Sequence, residues 1–238
     1  LELQKHSDCI ETITVVTAQH RQMLDQVLET FRIQPNYDLD IMGKNQSLLD
    51  ITAKILQKFD PIVKKELPDM ILVHGDTTTT FVASLVAFYN QVGIGHVEAG
   101  LRTFDKYSPF PEEMNRQMTD NLADLYFAPT TDSKENLLKE NHPESAIIIT
   151  GNTAIDALKL TVQSDYYHEV LDQLDPLKKL VLVTMHRREN QGQPMRDVFA
   201  ALREMVDVHS ELEVVYPVHL SPAVQEAAKD ILSGHERI

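Results

Sequence analysis

The chain has 238 residues, 42% hydrophobic and 24% charged, which suits a globular protein able to bury a core and excludes a disordered one. Its 36 acidic and 22 basic side chains give a formal charge of −14, so no global field attracts nucleic acid or an anionic membrane, and an anionic ligand needs a local basic pocket. No apolar run approaches the roughly 20 residues of a membrane span and no signal-like start is present, so cytoplasm is the expected compartment; the single cysteine, Cys9, reads as a small buried hydrophobe.

Residues 1–6 are polar and apolar in helical fashion without an N-cap signal, and read as the end of a helix whose start and preceding strand lie upstream. Apolar runs rich in β-branched residues predict strands at 13–17, 70–74, 95–98, 125–128 and 146–150. Between them, helical periodicity predicts helices at 21–31, 47–67, 78–91, 112–122 and 132–140, with a further helix at 152–162. The alternation is that of an α/β protein with a parallel sheet, and runs this short and apolar suit strands buried on both faces between helices. The polar stretch 163–179, which carries Pro176, reads as a linker between a first domain at 1–162 and a second α/β domain at 180–238. That second domain runs strand (180–184), helix, strand (212–216), helix, with Gly234 as a C-cap, and is expected to be incomplete. Both ends are expected to be those of a piece cut from a longer protein.

Ligands of open parallel sheets bind beyond the carboxyl ends of the strands, so polar residues just after each strand are the candidates. Asp76 follows the strand 70–74 and can be read as a cap for the next helix or as an acid–base group. Glu98 ends the strand 95–98 in the string Gly-His-Val-Glu-Ala-Gly-Leu-Arg-Thr and is harder to explain as a cap. Glu112 opens a helix in Pro-Phe-Pro-Glu-Glu, where it can favour the dipole, pair with Arg116 at i,i+4, or work as a third carboxylate. His186, Arg187, Arg188, Glu189 and Asn190 follow the strand 180–184, where the arginines are either solvated or directed at a diphosphate, and His219 follows the strand 212–216. His74 and His96, in or beside apolar strands, read as satisfied structural histidines. Three carboxylates after strands and loops form a candidate acid–base cluster. No metal-binding pattern, dinucleotide fingerprint or P-loop occurs, so no metal or cofactor is expected.

Taken together, the strings at 17–26, 73–80, 95–103, 108–120, 149–158, 186–190 and 214–222 resemble the non-hydrolysing UDP-N-acetylglucosamine 2-epimerase family in order and spacing. The resemblance implies a GT-B-like fold of two Rossmann-like, doubly wound parallel-sheet domains, commonly a homodimer. It implies interconversion of UDP-N-acetylglucosamine and UDP-N-acetylmannosamine, for cell-envelope polysaccharide, by elimination and re-addition of UDP. Asp76, Glu98 and Glu112 match the family's catalytic carboxylates and His186 a histidine near the nucleotide phosphates, with Arg187, Arg188, Glu189 and Asn190 beside the substrate. Gln19, Gln22, Glu112, Arg187 and His219 match a pocket in which a second substrate molecule activates bacterial members, while Asn45 stands where an arginine is expected.

The family's glycine-arginine loop and its later UDP-holding segment have no counterpart in these residues, so the isolated chain is expected to show little epimerase activity. Two rival enzymes share the fold. A hydrolysing epimerase would release UDP and free N-acetylmannosamine, and a GT-B glycosyltransferase would need an acceptor. A catalytically incomplete nucleotide-sugar-binding or assembly fragment is the rival from another class.

Overall fold

The structure is a computed structural model that describes residues 1–18, 21–43, 46–185 and 190–238, with the backbone alone at 22 and 23. The chain divides into two compact units, Leu1–Val162 and Gln163–Ile238.

The first unit contains strands β1 (Val15–Val16), β2 (Tyr37–Asp38), β3 (Met70–His74), β4 (Gly93–Val97), β5 (Leu125–Ala128) and β6 (Ile147–Ile149). They alternate with helices α1 (Arg21–Thr30), α2 (Leu48–Glu66), α3 (Thr78–Tyr89), α4 (Glu112–Leu122), α5 (Thr131–Lys139) and α6 (Thr153–Thr161). The strands β3, β4, β5 and β6 lie side by side in chain order and all pair in parallel, as successive βαβ crossovers produce, while β1 and β2 form a separate parallel pair. Sequence periodicity missed β2, which has only two residues. Residues 1–6, expected to end a helix, instead make one 3-10 turn at Leu3–His6.

Helix starts follow short polar side chains. Ser47 and Asp50 close a reciprocal capping box on α2, while Thr77, Thr130 and Asn152 each accept a free amide at the first turn of α3, α5 and α6. The main core gathers Ile51, Ile55, Phe59 and Val63 of α2 against Val82 and Val86 of α3. Alternate residues of β3 decide which face it serves: Ile71 and Val73 point to this side.

The opposite face departs from the expected sandwich. Met70 and Leu72 are 40% and 46% exposed, and Ile148, on the same face by register, is also open to solvent. Gly95 lies beneath Leu72 and Phe127, whose side chains occupy the space where its Cβ would stand. Helices therefore bury the side of Val73 and Ile94, while the other side is half-buried at Val97, Leu125 and Phe127 and open to solvent at Met70, Leu72 and Ile148 of the outer strands.

Gly100 shows how tightly the chain turns after β4. Its φ is +84°, and an added Cβ would lie 2.3 Å from the Ser133 carbonyl oxygen, whereas Gly151 has φ +78° with nothing within 4 Å. Gly100→Ala is expected to cost on the order of 3 kcal/mol from left-handed strain plus the clash with α5, and Gly151→Ala only the strain of about 1–2 kcal/mol. Urea unfolding of the two variants checks this, and equal losses would mean that the clash relaxes freely.

The second unit contains a short helix α7 (Glu169–Asp172), then β7 (Lys179–Leu182), α8 (Gln193–Val208), β8 (Leu212–Val215) and α9 (Pro222–Leu232). β7 and β8 pair in parallel, and Met195 and Phe199 of α8 pack on Val224, Ala227, Ala228 and Leu232 of α9. α7 falls within the stretch read as a linker. Gly234 follows α9 at φ +77°, where a residue without a side chain ends a helix at little cost. Cys9, expected to be buried, is exposed, its thiol directed at the His6 carbonyl at 3.6 Å.

Candidate active site

Three strand ends of the first unit come together. β3 leaves the sheet through Gly75, whose φ of +73° turns the chain into Asp76, and the Gly75 amide donates to the Val97 carbonyl at 2.9 Å, tying this turn to β4. β4 ends at Val97 because Glu98 adopts φ +70°, a left-handed conformation that costs a non-glycine residue about 1–3 kcal/mol and is characteristic of functional positions. The Glu98 carboxylate lies against the Gly75 turn, with Oε2 only 3.4 Å from where a Gly75 Cβ would be. Beyond β6, Asn152 caps α6 with its oxygen, accepting the Ala154 amide at 2.8 Å, and its nitrogen donates to Glu98 Oε1 at 3.1 Å. His74, at the end of β3, shares a 3.1 Å hydrogen bond with Thr153 at the start of α6.

α4 supplies the other wall. Asn115 donates to the Asp76 carbonyl at 2.9 Å, and Arg116 donates to Asp76 Oδ2 at 2.8 Å. The cap reading of Asp76 is thereby corrected: Thr77 caps α3, accepting the Thr80 amide, and the Asp76 carboxylate is held by an arginine from another helix. The pairing of Glu112 with Arg116 is corrected too, since Arg116 binds Asp76 and stands 3.6 Å from Glu113. Glu112 is half-buried, and its side chain makes no hydrogen bond or ion pair among the described residues. It shares a face with Asn115 and Arg116, which follow at i+3 and i+4, so it belongs to the side of α4 that meets the Asp76 turn.

Glu113, fully buried, serves the loop instead. It accepts the amides of Thr103 and Phe104 at 3.0 and 3.1 Å and the Gln117 side chain at 2.8 Å. Burial alone would raise its carboxyl, but these donors and Arg116 outweigh it and hold it below the ordinary range. The loop after β4 is thus folded back on the start of α4.

Beneath the strand ends lies a buried polar network. Asp120 of α4 faces His96 Nδ1 at 2.5 Å through Oδ1, while its Oδ2 accepts the Gly100 amide at 3.2 Å and Arg102 at 2.7 Å. Arg102 also makes a two-pronged bond with Glu140, at 2.7 and 2.6 Å. Tyr126 donates to the Asp120 and Ala123 carbonyls and meets His142 Nδ1 at 2.9 Å; burial, followed by the charge of Asp120, pushes its hydroxyl up to about 12.

The structure therefore brings Asp76 and Glu98 to one turn, with Glu112 on the facing helix. Gln19, Asn45, His186, Arg187, Arg188 and Glu189 lie outside the described residues, as does the side chain of Gln22. Asn190 is half-buried in the second unit, and His219, exposed after β8, accepts the Ser221 amide at 3.1 Å. The sequence reading did not single out Asn115 or Asn152. The spacing Glu112, Asn115, Arg116 was the available signal, because i, i+3 and i+4 share one helical face.

The sequence profile of the family described as UDP-N-acetylglucosamine 2-epimerase matches residues 1–238. The UDP-N-acetylglucosamine 2-epimerase of Bacillus subtilis (strain 168) is 56% identical over 238 residues, covering 100% of this chain and 62% of its own length. Among solved structures, S. aureus MnaA in a co-structure with UDP matches with a TM-score of 0.91 at 51% identity, over 100% of this chain and 62% of that one. UDP-GlcNAc 2-epimerase from Neisseria meningitidis bound to UDP-GlcNAc matches with a TM-score of 0.90 at 45% identity, over 99% of this chain and 65% of that one. The chain thus spans less than two thirds of the length of these relatives. No helix among the described residues is long and apolar enough to cross a membrane. With an α/β architecture of parallel strands and a profile match over its full length, the chain belongs to the UDP-N-acetylglucosamine 2-epimerase family.

Proposed function

We propose that these residues form the acid–base half of a non-hydrolysing UDP-N-acetylglucosamine 2-epimerase that interconverts UDP-N-acetylglucosamine and UDP-N-acetylmannosamine. The observation that carries this reading is the meeting of Asp76 and Glu98 at the Gly75 turn, faced by the start of α4.

The chemistry asks for such a group. The hydrogen on carbon 2 is weakly acidic, so its removal has to be coupled to departure of UDP from carbon 1, giving a glycal. Return of UDP with a proton delivered from the other face completes the inversion. One carboxylate accepts a proton and another delivers one, and carboxylates in unlike surroundings can divide those roles. Here the surroundings differ: Asp76 is paired to Arg116, Glu98 accepts a neutral amide from Asn152, and Glu112 has no partner among the described residues.

The family resemblance assigns the nucleotide phosphates to His186, substrate binding to Arg187, Arg188, Glu189 and Asn190, and a second, activating substrate molecule to Gln19, Gln22, Glu112, Arg187 and His219. It also suggests a homodimer. The N. meningitidis relative bound to UDP-GlcNAc supports the same substrate class.

In deuterated water, the full-length protein carrying these residues is expected to place deuterium on carbon 2 of the sugar nucleotide during turnover. Mass spectrometry of recovered substrate and product reads it directly. Retention of the original hydrogen in the epimerised product would defeat the elimination route, and accumulation of free UDP with N-acetylmannosamine would establish hydrolysis in its place.

A further inference from the structure

His96 takes no place among the carboxylates, yet it touches the turn that carries them. Its ring is fully buried in β4, with Nε2 2.8 Å from the Gly75 carbonyl oxygen and Nδ1 2.5 Å from Asp120 Oδ1. A carbonyl oxygen only accepts, so Nε2 must carry a proton to make the first bond. Asp120 already accepts from Gly100 and Arg102 on its other oxygen, and the donors around it hold its carboxyl in the ionised form against the cost of burial. The charged and titratable groups of this environment are Asp120 on α4, Arg102 after β4, Glu140 after α5, and Tyr126 with His142.

The Gly75 to Asp76 peptide is trans, since the cis peptide bonds among the described residues precede Pro109 and Pro111. In a trans unit the carbonyl and the following N–H point in opposite directions. Holding the Gly75 carbonyl against His96 therefore aims the Asp76 N–H away from the buried ring, and that N–H makes no hydrogen bond among the described residues. A donor left open beside the Asp76 carboxylate suits an oxygen of the ligand, because polar groups that are unpaired in the free protein are normally paired by water or a bound molecule.

We propose that His96 is a positioning residue: through the Gly75 carbonyl it sets the Gly75 to Asp76 turn, so that Asp76 offers a free backbone N–H to a substrate oxygen next to its carboxylate. This rests on the epimerase reading for the identity of the substrate, but its geometry does not.

Two measurements test it. Histidine-ring NMR on the chain as it stands is expected to show a slowly exchanging proton on His96 Nε2, with scalar coupling across the hydrogen bond to the Gly75 carbonyl carbon. A His96 Nε2 without a proton overturns the proposal, whatever the protein catalyses. In the full-length protein, His96→Asn places an amide nitrogen near the position of Nδ1 and keeps the Asp120 contact, whereas His96→Gln reaches the position of Nε2 and keeps the Gly75 contact. Both should lower thermal stability, but His96→Asn should lower kcat on the order of 10²-fold with KM changed far less, and His96→Gln should recover most of that loss. Equal kcat in the two variants, high or low, refutes positioning through Gly75 in favour of a purely structural histidine. Absence of any turnover in the unsubstituted protein would overturn the epimerase reading, and the NMR result would then decide the placement of the turn alone.

Discussion

Asp76→Asn, Glu98→Gln and Glu112→Gln are each expected to lower turnover of the full-length protein by about 10²- to 10⁴-fold while changing its unfolding little. The substitutions remove charge and proton capacity but keep size and hydrogen-bonding atoms. In the Glu98→Gln variant Asn152 can still donate to the side-chain amide oxygen at that position, since the acceptor there is one of two equivalent oxygens. The Asp76→Asn side chain keeps an oxygen for Arg116, and its backbone carbonyl still accepts from Asn115. The Arg116 contact is only partly screened, with 30% of the Asp76 side chain but 10% of the Arg116 side chain accessible, so Asp76→Asn is expected to cost the most stability of the three, limited by Glu113, which still faces Arg116 at 3.6 Å. Glu112 makes no bond among the described residues that a neutral side chain would break. Steady-state kinetics with thermal unfolding run in parallel separates the two effects. Near-normal turnover by all three folded variants would falsify the carboxylate assignment.

Asp120→Ala is expected to act in the opposite way, as a loss of stability. Asp120 and the Arg102 side chain are fully buried, and removing the carboxylate leaves His96 Nδ1 and the Gly100 amide without their acceptor and Arg102 with Glu140 and the Leu101 carbonyl. Breaking a buried charged network by deleting one member costs about 3–5 kcal/mol, which for a chain of this size lowers Tm by ~10 °C. A Tm within about 2 °C of the parent would show that water or rearrangement compensates.

The same carboxylate sets an acid limit. Burial would raise the Asp120 carboxyl, but the bond and charge of His96 and the Arg102 guanidinium prevail and hold it below the usual carboxylate range. Its folded pKa is therefore depressed relative to the unfolded chain, where an aspartate titrates near about 4. The stability it contributes is fully present above that unfolded value and is lost as pH falls through the folded one. Acid unfolding of Asp120→Ala should accordingly be flatter below about pH 4 than that of the parent.

Much of the local structure was legible because it depends on neighbours in sequence. The strands β3 and β5 occupy the predicted spans, and α2, α3 and α4 start at or within one residue of the predicted 47, 78 and 112. Periodicity works there because side-chain direction repeats every two residues in a strand and about every 3.6 in a helix. β2 and α7 were missed for the same reason, since two and four residues contain barely one period, too little for a repeat to show. The exposed outer face of β3 was also illegible: an apolar run reports that a strand can be buried on both sides, and says nothing about whether a helix covers both.

Residue types and their places after strands marked Asp76, Glu98 and Glu112 as candidates by sequence alone, and the order of motifs identified the family. Only the tertiary structure decided what each carboxylate faces. Asp76 was separated from the cap role because Arg116, 40 residues further along, reaches it from α4, and Glu98 was joined to Asn152, 54 residues away, by the meeting of the β4 and β6 ends. His96 likewise became a link between Gly75 and Asp120 only when β3, β4 and α4 came together. Such contacts depend on distances between chain-distant elements, set by sheet register and helix packing, and no local pattern of residues encodes them one at a time.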